Sequence, residues 1–193
     1  MPTTTFVSCA AYAAHRHQRG NSMMEVLVSI LVLAFGALGV AGLQATSKRA
    51  HSEAKQQLVA SYLANDIIER MRNNPSVLAT YAGAIVGGGS ISREPSPSCS
   101  SGNPCTAAQL AAHDRWLWEQ AIDGATVKYG SQNIGGLVVP RGCISNTNGQ
   151  VQVVIAWISL TLLSDTGASA DGAAGCGDAS DQRRQAVFNT YIR

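Results

Sequence analysis

Residues 26–43, VLVSILVLAFGALGVAGL, form an 18-residue run with no charged side chain. That length just suffices to cross a bilayer as a helix. A leader carrying His15, Arg16, His17 and Arg19 precedes the run, and one acid, Glu25, stands at its edge. A basic leader places the amino end on the cytoplasmic side; Lys48 and Arg49 on the far side act against this, but the leader comes first. A secretory signal would have a shorter apolar core followed by an A-x-A-like cleavage site. Here the chain continues as QATSKRAHSEAKQQ, a good helix former, so the apolar segment is expected to be retained.

Nothing between Ser22 and about Asn73 breaks a helix; Pro75 does. Val59, Leu63, Ile67 and Met71 recur at spacing four, and Ala60, Ala64 and Ile68 widen the arc. This amphipathic stripe, interrupted by Arg70, must pack on something. A globular domain laid along the second half of the helix is the economical partner. In the apolar half, Gly36, Gly39 and Gly42 would permit close approach of another helix, although glycine is also ordinary in membrane helices.

Of five cysteines, Cys9 lies in the leader and Cys99, Cys105, Cys143 and Cys176 lie beyond the apolar run. An even number on the exported side favours two disulfides over zinc, whose ligands usually come as closely spaced pairs. Four cysteines allow three pairings. Cys99 and Cys105 share a short Pro/Gly/Ser loop, and Cys143 and Cys176 flank strands of one expected sheet. The expected bridges are therefore Cys99–Cys105 and Cys143–Cys176.

Residues 73–108 read as a long Gly/Ser/Pro-rich connection. Residues 107–124 read as a second helix ending near Gly124, with His113 and Asp114 as polar surface positions. Trp116 and Trp118, two apart, cannot face the same way, so one is expected buried and the other partly exposed. The period then changes. GGLVVPRGCIS and QVQVVIAWISLTLL flank Asn148-Gly149, a hairpin signal, and RRQAVFNTYIR supplies a third strand. Residues 164–181 form a loop with four aspartates that lacks the spacing of a calcium loop.

No nucleophile, phosphate-loop, dinucleotide or zinc-protease motif occurs, and GGGS at residues 87–90 reads as flexible loop. A net charge of +2 without a basic, aromatic-laced patch gives no nucleic-acid footprint. No cofactor, metal or catalytic residue is expected. Removing Arg16 and Arg19 with the leader would leave basic and acidic residues equal in number, which suits a subunit packed among neighbours. An assembly subunit is favoured over an enzyme.

The segment RGNSMMEVLV resembles the prepilin signal of type IV pilins and type II secretion pseudopilins: a basic leader ending in Gly20, a cut before Asn21, and Glu25 at the fifth mature position. Asn21 departs from the usual phenylalanine. NDIIERMRNNP, RGCIS, VQVVIAWIS, the late Cys176-Gly177 and the terminal RRQAVFNTYIR are similar to minor pilins of the PilV type. The resemblance implies an α+β, type IV pilin-like fold: a long amino-terminal helix packed on a small antiparallel sheet, with an intervening loop and short helix. It implies a cleaved leader at 1–20, a long helix at 21–74 that spans the membrane at about 24–43, and an exported head at 75–193. It further implies cleavage by prepilin peptidase between Gly20 and Asn21, N-methylation of Asn21, and pairing of Glu25 with a neighbour's terminal amine during assembly. Implied partners are other minor and major pilins, prepilin peptidase and the inner-membrane assembly platform, with no direct nucleic-acid binding. The implied role is priming of a type IV pilus from the inner membrane, with a place at its tip, in twitching, adhesion or DNA uptake. A type II secretion pseudopilin and a membrane-tethered periplasmic binding domain are the alternatives.

Overall fold

Helix α1 runs unbroken from Met23 to Asn73. Residues 22–83, 85–89, 92–100, 102–162 and 175–193 are described by the computed structural model. The leader with Cys9, Gly20 and Asn21, and most of the aspartate loop (163–174), lie outside these residues. Pro75 ends α1 by opening a 3-10 turn, Pro75–Val77, because the ring disfavours helical backbone in the residue before it. Arg70 and Arg72 in the last turn suit the negative end of the helix dipole.

The chain divides into two units, Met1–Ala45 and Thr46–Arg193. In the first, every described residue of α1 is exposed, and the best 18-residue window of the helix has a mean hydropathy of 2.6. In the second, Gln56, Ala60, Leu63, Ala64, Ile67, Ile68 and Met71 are buried. This is the expected stripe, with Val59 packed beside it.

The other elements of the second unit are α2 (Leu78–Tyr81), β1 (Ile85–Val86), α3 (Ala107–Ile122), β2 (Lys128–Tyr129), β3 (Gln132–Asn133), β4 (Arg141–Thr147), β5 (Gln150–Ile158) and β6 (Arg183–Tyr191). An antiparallel sheet is ordered β1-β4-β5-β6. Thr147 pairs with Gln150 across a two-residue turn in which Asn148 and Gly149 have φ of 52° and 87°, the left-handed backbone such hairpins need. Val151, Val153, Ile155 and Trp157 of β5 enter one core with the α1 stripe, Trp118 and Ile122. Val154 and Ala156, on the other sheet face, pack with Cys176 and Cys143. Both faces of β5 are thus covered, which explains its unbroken apolar run.

Helix α3 starts with a capping box in which Thr106 and Gln109 satisfy each other's main-chain amides. Trp118 is wholly buried and Trp116 only half so, as their spacing implied. The long helix, short helix and small antiparallel sheet are the fold class expected from the resemblance.

Several expectations need correction. The connection over 73–108 is not structureless: it holds the 3-10 turn, α2 and β1, and β1 adds a fourth strand through Ile85↔Cys143 and Val86↔Gly142. The strand expected from Gly135 begins at Arg141, because Val139 is forced to φ 46° and Pro140 has no amide to donate. The β2–β3 hairpin was not anticipated. Within the tract expected to be flexible, Gly88 and Gly89 are held rather than free, since Asp123 Oδ1 accepts their amides, each at 2.9 Å; Ser90 lies outside the described residues. Asp114, expected at the surface, is buried.

Candidate assembly surface

The amino-terminal turn of α1 forms around Ser22, whose carbonyl accepts the amides of Glu25 at 2.9 Å and Val26 at 3.3 Å. Ser29 Oγ donates to the Glu25 carbonyl at 2.7 Å. Glu25 therefore sits in the first turn, where the helix dipole favours an anion. Its carboxylate has no hydrogen-bond or ion-pair partner among the described residues. Leu33, Phe35, Leu38 and Leu43 are each 67–73% exposed. A shallow groove of about 490 Å³ is lined by Val32, Leu33, Gly36, Ala37, Val40 and Ala41. A β-carbon placed on Gly36, Gly39 or Gly42 would meet nothing, so the backbone there is open to close approach. A continuous apolar face with a lone acid at one end can pack against lipid or against like helices.

Within the second unit, α1 is held by named polar contacts as well as by its stripe. Trp118 Nε1 donates to the Leu63 carbonyl at 2.8 Å. Arg72 Nη2 donates to Thr190 Oγ1 at 3.1 Å. Arg70, the charge within the apolar arc, bonds Asp66 through Nε and Asp114 through Nη1, each at 3.0 Å. Asp114 Oδ2 accepts the Tyr81 hydroxyl at 2.7 Å, and Asn74 Nδ2 donates to the Ala107 carbonyl at 2.8 Å. Burial, then the bond to the Asp114 carboxylate, raises the Tyr81 phenol above its ordinary value. Asp66 and Asp114 hold the Arg70 guanidinium more firmly charged, against the cost of its burial.

Ser159 Oγ donates to Glu53 Oε1 at 2.5 Å. That bond, with further help from Thr161 and Arg184, lowers the Glu53 carboxyl below its ordinary range. Sequence reasoning missed Glu53, Tyr81 and Asp114. For Asp114 and, through it, Tyr81, the available signal was Arg70, because a charge inside an apolar stripe demands a buried partner.

Two disulfides close the second unit. Cys99–Cys105 spans six positions, and Cys143–Cys176 spans 33. The second fixes the Cys176-Gly177 corner, where buried Arg183 Nη1 donates to the Gly177 carbonyl at 2.6 Å and Gln185 Nε2 to the Cys176 carbonyl at 2.8 Å. Gly20 and Asn21 lie outside the described residues, so the geometry of the expected cleavage site is not part of this surface. Among the described residues no group of three or more His, Cys, Asp and Glu side chains converges as a metal site.

Residues 42–116 match the family model Tt1218-like, described as Type IV pilin Tt1218. The matched stretch runs from the end of the apolar part of α1 through the Cys99–Cys105 loop into α3 and covers less than half of the 193 residues. No curated protein and no solved structure matches the chain.

Proposed function

We infer that this chain is a subunit of a type IV pilus, of the minor pilin kind, made as a prepilin and assembled out of the bilayer. The observation that carries this reading is the apolar half of α1. Its 18 uncharged residues are all exposed in the single chain, and Glu25 stands at their edge. Each large apolar side chain gains about 1.5–3 kcal/mol on leaving water, so that half of α1 is stable only in lipid or against other helices. The match of residues 42–116 to a type IV pilin family supports the same reading from a largely separate part of the chain.

In this account prepilin peptidase cuts between Gly20 and Asn21, and Asn21 is methylated on its new amine. Before assembly the subunit lies in the inner membrane with its amino end cytoplasmic. Glu25 then lies near the cytoplasmic edge. An acid inside lipid costs roughly 2.5–3.5 kcal/mol at the bilayer centre and less near the edge. Pairing with the terminal amine of a neighbouring subunit recovers part of that cost and favours the assembled state. The subunit acts with other pilins on the assembly platform to prime the fibre, at its tip, and so serves twitching and adhesion.

A deletion strain tests this, with surface pili and secreted proteins assayed in parallel. Loss of pili with intact secretion supports the reading, whereas the opposite pattern assigns the chain to a secretion pseudopilus. Complementation with Glu25→Ala should leave processed protein in the membrane yet reduce piliation. Wild-type piliation at matched abundance would remove Glu25 from the account.

A further inference from the structure

Beyond Leu43, where the apolar run ends, the first charged side chains are Lys48 and Arg49, and His51, Glu53 and Lys55 follow. Lys48 comes five residues after Leu43, about 7–8 Å of helical rise. The polar layer on each side of a roughly 30 Å hydrocarbon core is about 5–8 Å deep. A flexible lysine stem spans the remaining few ångströms. If α1 spans the bilayer as proposed above, Lys48 and Arg49 are level with lipid phosphates, and Lys55 lies within the screening distance of that surface.

The charge there is unbalanced. Lys48, Arg49, His51 and Lys55 are all exposed. None of the four is in an ion pair among the described residues. Lys48, His51 and Lys55 stand at i, i+3 and i+7 and share one helix face, away from the buried Ala60–Ala64–Ile67 stripe. Glu53 is the only acid between Glu25 and Asp66, and it is turned toward Ser159, Thr161 and Arg184 instead of toward these cations. Cations on the exported side also run against the positive-inside bias, so they do not serve to orient the helix. Lys48 and Arg49, adjacent in the chain, share one height above the apolar edge, which is what binding to a lipid phosphate requires.

We propose that Lys48 and Arg49, with Lys55 attracting from farther out, bind anionic phospholipid headgroups on the exported leaflet and so set the depth of α1 in the membrane before assembly. The proposal rests on the reading of α1 as a bilayer-spanning helix. A polymer that cuts discs from native membranes, applied to cells expressing the full chain, provides the test. The readout is the ratio of phosphatidylglycerol to zwitterionic phospholipid around the protein, relative to the bulk membrane. The wild-type chain should be enriched in phosphatidylglycerol, and each cation removed should cost up to about fivefold of that preference. The triple variant Lys48→Gln/Arg49→Gln/Lys55→Gln should fall to the bulk ratio, while Lys48→Arg/Lys55→Arg should keep the enrichment.

Equal ratios for wild type and triple variant, with both chains in the membrane, would overturn the proposal and leave the pilin reading standing. Fewer pili at an unchanged lipid ratio would also overturn it and assign the cations to acidic groups on a neighbouring subunit. A wild-type chain absent from the discs would sink both readings.

Discussion

Trp118 Nε1 and the main-chain oxygen of Leu63 lie 2.8 Å apart, and the indole is wholly buried. This contact ties α3 to the backbone of α1 at the centre of the core, one turn from Ile67. The Leu63 carbonyl also belongs to the helix, so the indole is an additional donor to a group already satisfied.

Trp118→Phe should therefore be tolerated, costing about 1–2 kcal/mol for the lost bond and partial cavity. Trp118→Ala should cost about 3–5 kcal/mol. Thermal unfolding of the detergent-solubilised chain, followed by near-ultraviolet circular dichroism, checks both. A Phe variant as damaged as the Ala variant would mean that the hydrogen bond, not the ring volume, holds α3 in place.

Tyr81→Phe should cost about 1–3 kcal/mol at neutral pH, since Asp114 keeps Arg70 but loses its hydroxyl donor. It should also change the alkaline behaviour. The phenol is raised above its ordinary 10.0, so the folded chain holds that proton more tightly than the unfolded chain. Its contribution is whole below about pH 10 and is lost as pH rises through the folded value. Stability measured from pH 7 upward should fall less steeply in the variant than in the wild type. Parallel slopes would show that the Tyr81 proton plays no part.

Glu53→Gln should act at the opposite end of the pH range. The hydroxyls of Ser159 and Thr161 and the charge of Arg184 hold the carboxyl below its ordinary 4.5. Its contribution is present above about pH 4.5 and is lost as pH falls through the folded value. Because the group is accessible to solvent, the effect should stay under about 1 kcal/mol. Denaturant titrations of wild type and variant at acid and neutral pH give the difference, and an equal loss of stability on acidification in the two would exclude Glu53 as its source.

The two disulfides should differ in weight. In the chain-entropy account, closing 33 positions contributes about 4 kcal/mol and closing six about 2 kcal/mol. Cys143→Ser should lower the unfolding temperature about twice as much as Cys99→Ser. Non-reducing peptide maps check the pairing itself, and a Cys99–Cys143 peptide would contradict it.

What the sequence made legible follows from period and punctuation. The Leu63–Ile67–Met71 stripe, the Asn148-Gly149 hairpin and the unlike burial of Trp116 and Trp118 are consequences of local geometry, and they read directly. Less legible were features set by distant partners. Asp114 looks like a surface acid until Arg70 and Tyr81 are brought beside it from 44 and 33 residues away. Gly87–Gly89 resembles a flexible tract because nothing local reveals that Asp123 receives two of its amides. Strand β1 has two residues, too few to show a period, and exists because β4 offers an edge. On the assembly surface, Glu25 and the apolar run were plain in the sequence, whereas the Ser159 bond that turns Glu53, the one nearby acid, away from Lys48 and Arg49 was not.

The central claim is that α1 belongs to a processed prepilin subunit. The most direct test is amino-terminal sequencing and intact mass of the protein extracted from membranes. The account predicts a chain beginning at Asn21, with one methyl group on its amine, and both disulfides closed. A chain that still begins at Met1, or one that begins beyond residue 43 with the apolar run removed, would contradict it.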